Sequence, residues 1–235
     1  TVPHAYAETN LAPQWQGFRD KVAFAEAVSS QNTLMFKCLA PKQISTPEFA
    51  FNVNYGYHLD AGKFAEFLRR HCVENLGVRH IRANVTGVIS AENGDIASVT
   101  TDVYGDIKAD LFIDCSGSRA LLLGEHYGVA IASKSDILFN DTALASQVPY
   151  AEGNDAIQSS TLSTAQSAGW VWDIGLPSRR GIGHVYSSSH NSEERATKEL
   201  LSYIASTVSQ QAADTASVRK VDFTPGHRTQ FWHKN

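Results

Sequence analysis

The segment from residue 60 to residue 127 constrains the fold more than any other. Asp60 stands where a helix N-cap belongs, Phe64, Phe67, Leu68, Cys72 and Leu76 recur at helical spacing, and Gly77 supplies the stop. Residues 78–81 and 85–90 then read as strands, and the turn at 92–95 with the run 96–101 completes a hairpin. A short apolar strand at 110–114 ends in Cys115, Ser116 and Gly117, after which 119–127 returns to helix. Elements in that order suit an α/β nucleotide-binding layer.

On either side the pattern changes. Residues 1–53 are weakly patterned and partly helical, with one short helical stretch over 18–29 and a loop bracketed by Pro41 and Pro47. Beyond a boundary near Leu138 the runs 141–148, 160–166, 169–176 and 183–188 are strand-like. Turn signals at 151–154, 167–169 and 177–181 separate them, a spacing that predicts a largely antiparallel sheet. A helix over 192–206 precedes strands near 218–223 and 229–232. The expected organisation is an irregular segment 1–53, a cofactor layer 54–137 and an antiparallel-sheet substrate layer 138–235. Interleaved layers of this kind are typical of flavoprotein monooxygenases.

Composition narrows the function classes. With 20 basic and 24 acidic residues mixed along 235 positions, no basic run exists to attract nucleic acid. The longest apolar stretches are far too short to span a bilayer. Three scattered cysteines, Cys38, Cys72 and Cys115, never in C-x-x-C spacing, argue against a disulfide framework and favour a reducing cytoplasm. His58, His71, His184, His190 and His227 lack metal-ligand spacing, so no metal site is expected. The chain opens on Thr1 and ends just after an aromatic stretch, and both ends read as cuts.

Two strings could carry chemistry. DLFIDCSG at 110–117 would let backbone approach a ligand through its small residues, and it would serve equally as an ordinary strand and turn. In GWVWDIG at 169–175, strand periodicity puts Trp170 and Trp172 on one face. Paired indoles there serve core packing, or else a rigid wall that keeps water from a reactive cofactor. GIGHVY at 181–186 lacks a third glycine and runs into a strand instead of opening a helix, so it reads as a turn and strand and not a dinucleotide fingerprint.

In order along the chain, YGYHLDA at 55–61, LGVRHI at 76–81, DLFIDCSG at 110–117 with LLL at 121–123, NDTALA at 140–145, GWVWDI at 169–174 and GHVYSS at 183–188 resemble the flavin-dependent tryptophan halogenases. The resemblance covers 54–235 closely and the first fifty residues loosely. Trp170, Trp172 and Ile174 match that family's W-x-W-x-I-P signature, with Gly175 in place of the closing proline. It implies part of a two-dinucleotide-binding-fold flavoprotein, in which 54–137 binds FAD and 138–235 faces the substrate.

The implied activity is halogenation of tryptophan or another indole. FAD reduced by a separate flavin reductase reacts with oxygen to a hydroperoxide, halide converts this to hypohalous acid, and a lysine aims the halogen. A flavin-dependent aromatic hydroxylase, or a non-catalytic relic that binds an aromatic ligand, uses the same fold. Carried over residue by residue, Val85 meets the adenine end of FAD, Ser116 and Gly117 lie near the cofactor, and Trp170, Trp172 and Ile174 form the active-site wall. The family's catalytic lysine and glutamate match no position here, so no catalytic residue is assigned. The resemblance also implies a homodimer. The isolated chain is expected to bind FAD weakly or not at all and to show no turnover, since no G-x-G-x-x-G loop occurs in it.

Overall fold

A computed structural model describes residues 8–150 and 156–233. The turn expected at 151–154 lies outside the described residues. Three short helices, α1 (Ala12–Gln16), α2 (Phe24–Val28) and α3 (Gln31–Phe36), precede the longer α4 (Ala61–Leu76). Strands β1 (Val85–Ser90), β2 (Ile96–Thr101) and β3 (Gly105–Lys108) follow. Next come a 3-10 turn at Gly117–Arg119, a π-helical turn at Leu121–His126 and β4 (Ile131–Ser133). The remainder is β5 (Thr142–Pro149), β6 (Leu162–Gln166), β7 (Gly169–Gly175) and β8 (Arg179–Tyr186), then α5 (Glu193–Thr207), α6 (Gln210–Asp214), β9 (Val218–Asp222) and β10 (Gly226–Arg228). The fold is mixed α/β with antiparallel sheets throughout. It divides into two compact units, one of residues 1–60 with 140–223, the other of 61–139 with 224–235.

The first unit holds the core. Its sheet runs β6-β7-β8-β5-β9. Period-two alternation gives each strand one face for α5: Leu144 and Val148 from β5, Val171 from β7, and Ile182 and Tyr186 from β8, all buried. Helix α5 answers with Ala196, Leu200 and Ile204, fully buried at i, i+4 and i+8. Its start is fixed by the Ser192 hydroxyl, which accepts from the Arg195 N–H at 3.3 Å, with Glu193 and Glu194 in the first turn where the helix dipole favours them. Short α6 was not expected from its polar sequence. It forms because the Ser209 hydroxyl caps the Ala212 N–H at 3.1 Å and Ala213 packs into the core.

Among these apolar groups sits a charged one. Asp173 on β7, 2% exposed, pairs with the Arg180 guanidinium on β8 and accepts from the Tyr203 hydroxyl of α5 at 3.0 Å. Arg180 also donates to the Thr207 carbonyl at 2.7 Å. Two strands and the end of the covering helix are thus tied at one carboxylate. Burial opposes the charge on Arg180, but the contact with Asp173 prevails and raises its pKa.

In the second unit β1-β2-β3 form a meander and β10 pairs with β4. Helix α4 runs as expected and ends at Gly77, whose φ of +67° is the left-handed stop. Its apolar stripe remains exposed, with Phe64, Phe67, Leu68 and Leu76 between 41% and 63%. The strands expected at 78–81 and 110–114 are absent. A strand exists only through its ladder, neither segment finds a ladder partner among the described residues, and Val78, Leu111 and Ile113 stay about half exposed or more. The strand expected at 229–232 is also absent; pairing falls upstream at Gly226–Arg228, where Ile131–Ser133 offers a partner.

Removing one partner of a buried pair leaves a charge without compensation. Arg180→Met is therefore expected to cost about 3–5 kcal/mol in urea unfolding. Arg69→Met, which opens an exposed i,i+3 pair with Glu66, is expected to leave the midpoint unmoved.

Candidate functional site

The six candidate residues fall into two groups, each inside one unit. In the second unit Val85 and Ser116 line one cleft of about 430 Å³, together with Asn84, Cys115, Arg119 and Leu122. Val99, Ile113 and Leu121 give it an apolar floor. The backbone at Val85 is held from the preceding residue, since Asp102 accepts from the Asn84 N–H at 3.1 Å and from its side-chain amide at 2.7 Å. These amide bonds hold the Asp102 carboxyl below its usual range. Nothing in the sequence marked that clamp, because its partners lie 18 positions apart.

Ser116 has a second task. Asp114 Oδ1 accepts from the Ser116 N–H at 3.1 Å and from its hydroxyl at 2.5 Å, and Oδ2 accepts from the N–H groups of Leu122 and Leu123 at 2.8 and 3.1 Å. The Ser116 oxygen in turn accepts from the Leu121 N–H at 2.7 Å. Two short side chains thus satisfy three orphan donors at the start of the π-helical turn. Burial would raise the Asp114 pKa, but the Ser116 hydroxyl and the three N–H groups outweigh it and lower it. Gly117 does not line the cleft. Its φ of +71° turns the chain into the 3-10 segment, a conformation that favours glycine. Arg119, at the cleft, is bound to Glu125 at 2.7 Å.

The second group lies on β7, in the first unit. Because Val171, Asp173 and Gly175 face α5, Trp170, Trp172 and Ile174 occupy the opposite face of the sheet. The two indoles meet edge to face with centroids 6.3 Å apart. Trp170 is 38% exposed, and Trp172 and Ile174 are half-buried.

What sequence reasoning missed is the floor beneath them. Trp172 pairs with Ser163 on one side and Gly183 on the other, Trp170 with Ala165 and Val185, and Ile174 with Gly181. The Trp172 ring lies where a side chain on residue 183 would stand. The G-x-G at 181–183, read only as the turn and start of a strand, is the signal that could have found this. Beyond the strand end a further cleft of about 660 Å³ opens, lined by Gly175, Pro177, Ile157, Tyr55, Tyr57 and Met35 among others. The Tyr57 hydroxyl has a raised pKa, chiefly through its hydrogen bond with Tyr55. Among the described residues no cluster of His, Cys, Asp or Glu could hold a metal ion, and no helix is long and apolar enough to cross a membrane.

Comparison with known proteins extends this geometry. The tryptophan halogenase family model matches residues 4–235. Tryptophan 7-halogenase RebH of Lentzea aerocolonigenes is 36% identical over 182 residues, which are 77% of this chain and 33% of that protein. Tryptophan 6-halogenase SttH of Streptomyces toxytricini is 38% identical over 181 residues, 77% of this chain and 34% of that protein. The crystal structure of a tryptophan halogenase from Shewanella frigidimarina superposes with a TM-score of 0.91 at 48% identity, covering 99% of this chain and 44% of that one. The chain spans about a third of the length of the curated relatives it matches.

Asp114 gives a pH dependence of known sign. Its pKa is lowered on folding, so its contribution is complete above the unfolded value of about 3.9 and is lost as pH falls through the folded value. Asp114→Ala is expected to cost about 1 kcal/mol at pH 7 as a lost cap. In urea melts the difference from the parent chain should shrink as the pH is taken below the carboxylate range.

Proposed function

Because the chain belongs to the tryptophan halogenase family, we propose that the protein carrying it halogenates tryptophan or another indole, using FAD, oxygen and a halide. The observation that carries this reading is the row Trp170, Trp172 and Ile174 on the sheet face opposite α5, with Gly183 leaving room for the Trp172 ring. An indole laid over a bare backbone cannot tilt toward the sheet, which suits a rigid, water-excluding wall. Gly175, where the family signature has proline, is consistent with the same role. A Cβ there would come within 3.0 Å of Ile157 and 3.2 Å of the Tyr150 hydroxyl, so neighbouring side chains already fill the corner.

In this reading residues 54–137 belong to the FAD layer and 138–235 to the substrate layer. FAD, when bound in its reduced form, would activate oxygen, whose oxidising equivalent turns halide into an electrophilic halogen. The cleft beside Val85 is of a size that takes one end of such a dinucleotide, and its apolar floor suits a flat ring. Val85 would meet the adenine end through its backbone, Ser116 would line the approach, and Gly117 would set the direction of the chain past the cofactor. Trp170, Trp172 and Ile174 would keep the indole substrate and bulk water apart from the flavin. A separate flavin reductase would deliver the reduced cofactor, a second copy of the chain would complete a homodimer, and the three free cysteines fit a reducing cytoplasm.

The test supplies the protein carrying this chain with FAD, a flavin reductase, oxygen and tryptophan, with and without chloride or bromide. Halogenated tryptophan by mass spectrometry, dependent on halide, is the expected result. Hydroxylated tryptophan formed without halide would overturn it in favour of an aromatic hydroxylase. The cofactor cleft has its own measurement. FAD is expected to bind the 235-residue chain weakly and to slow thiol modification of exposed Cys115. Modification of Cys115 that FAD leaves unchanged in the longer protein carrying this chain would remove Val85 and Ser116 from the cofactor site.

A further inference from the structure

The turn that carries Ser116 into the cleft is strained. Ala120 adopts φ +45° and ψ +64°, a left-handed conformation that a residue with a Cβ rarely takes. The next six residues form a π-helical turn, with i to i+5 bonds from Glu125 N–H to the Ala120 carbonyl and from Tyr127 N–H to the Leu122 carbonyl, both 3.1 Å. Such turns are rare and persist only where their surroundings hold them, which is more often at functional sites than elsewhere. The caps of Asp114 and Ser116 hold its start.

Its far side is held by a residue 104 positions beyond Gly124. β10 pairs with β4, Arg228 opposite Ile131. From there the Arg228 guanidinium donates to the Val129 carbonyl and, at 3.3 Å, to the Ser118 carbonyl, one on each side of the π-helical turn. Between those anchors it lies against Gly124. A Cβ on residue 124 would stand 2.6 Å from Nη2, 2.8 Å from Cζ and 2.9 Å from Nη1. Gly124 is not in the left-handed region, so backbone conformation does not require a glycine there. Room for the guanidinium does. Arginine's planar fork can reach two carbonyls at once, which lysine's single ammonium cannot match in geometry.

We infer that Arg228 and Gly124 form a latch that holds the strained turn over 117–126 and thereby sets the mouth of the cleft at Val85 and Ser116. Arg228 is a positioning residue: it does not line that cleft and acts through Ser116, Arg119, Leu121 and Leu122, which do. The inference rests on the reading of the cleft as the flavin site, and its two halves can be judged separately. Since the group that a Cβ on residue 124 would meet is the far end of a flexible side chain, Gly124→Ala should push the guanidinium aside without unfolding the unit.

The experiment compares the 235-residue chain with Gly124→Ala, Arg228→Gln, Arg228→Lys and the double variant Gly124→Ala/Arg228→Gln. Hydrogen exchange over 117–127 without flavin reads the latch, with exchange over 142–148 as the internal reference. Each single variant is expected to speed exchange at 117–127 by about tenfold and leave the reference unchanged. The double variant should be no worse than Arg228→Gln alone, because both changes break one contact. Unchanged exchange at 117–127, or a double variant that adds the two single effects, overturns the latch. Fluorescence titration with FAD reads the cleft, and its dissociation constant is expected to rise about tenfold in Arg228→Gln and Arg228→Lys. Faster exchange with unaltered FAD affinity, while FAD still protects Cys115, overturns the coupling of latch to cleft and leaves the flavin reading standing. Loss of Cys115 protection in the parent chain overturns the flavin reading, and the exchange data alone then decide the latch.

Discussion

The ion pair between Asp173 and Arg180 fixes which face of the central sheet does what. On β7 the odd positions 171, 173 and 175 face α5, and the even positions carry the two tryptophans and Ile174. A slip of one residue between β7 and β8 would exchange the two sets, because side chains alternate with a period of two. Apolar contacts oppose such a slip only in part, since Val171 and Ile174 differ little as core residues. A carboxylate that must meet a guanidinium on the next strand and a tyrosine hydroxyl on the helix tolerates no exchange at all. A pair of this kind adds little net stability over apolar residues of the same volume. Its contribution here is register.

Register then explains the small residues. With the indoles committed to the open face, their ladder partners decide whether the rings can lie flat. Ser163, Ala165 and Gly183 are small neighbours on that face, and Val185 beside Trp170 is the one branched side chain among the partners of the indoles. Gly169 answers a different need: a side chain there would run into the Val185 carbonyl and the Tyr186 backbone where β7 and β8 come closest. Within one strand pair, glycine is therefore used for ring room at position 183 and for backbone approach at position 169. Only the first bears on the proposed wall.

Legibility followed the range of the interaction. α4, α5 and strands β1, β2 and β5–β9 could be read because each displays an apolar period or a bounding turn within a short window of sequence. Segment 110–114 has the composition of a strand and lacks a ladder among the described residues, so composition alone misled. α6 escaped notice because its cap is a single serine and its buried residues are alanines. At the candidate site the tryptophan row was visible as an i, i+2 pattern. The Asn84–Asp102 clamp, the Asp114 cap and the Arg228 contact on Gly124 were not, because each joins residues whose separation carries no period.

The two candidate groups share a design that follows from these separations. In each, the residues proposed to meet a ligand include apolar ones that make no strong bond of their own: Val85 in one unit, Trp170 and Ile174 in the other. Their geometry is imposed by charged side chains bound into the fold, Asp102 and Asp114 in the first case, Asp173 and Arg180 in the second. A carboxylate placed against backbone N–H groups, or against a guanidinium, is held in place by charge-assisted hydrogen bonds. Charged groups bound into the fold in this way give such a site rigidity.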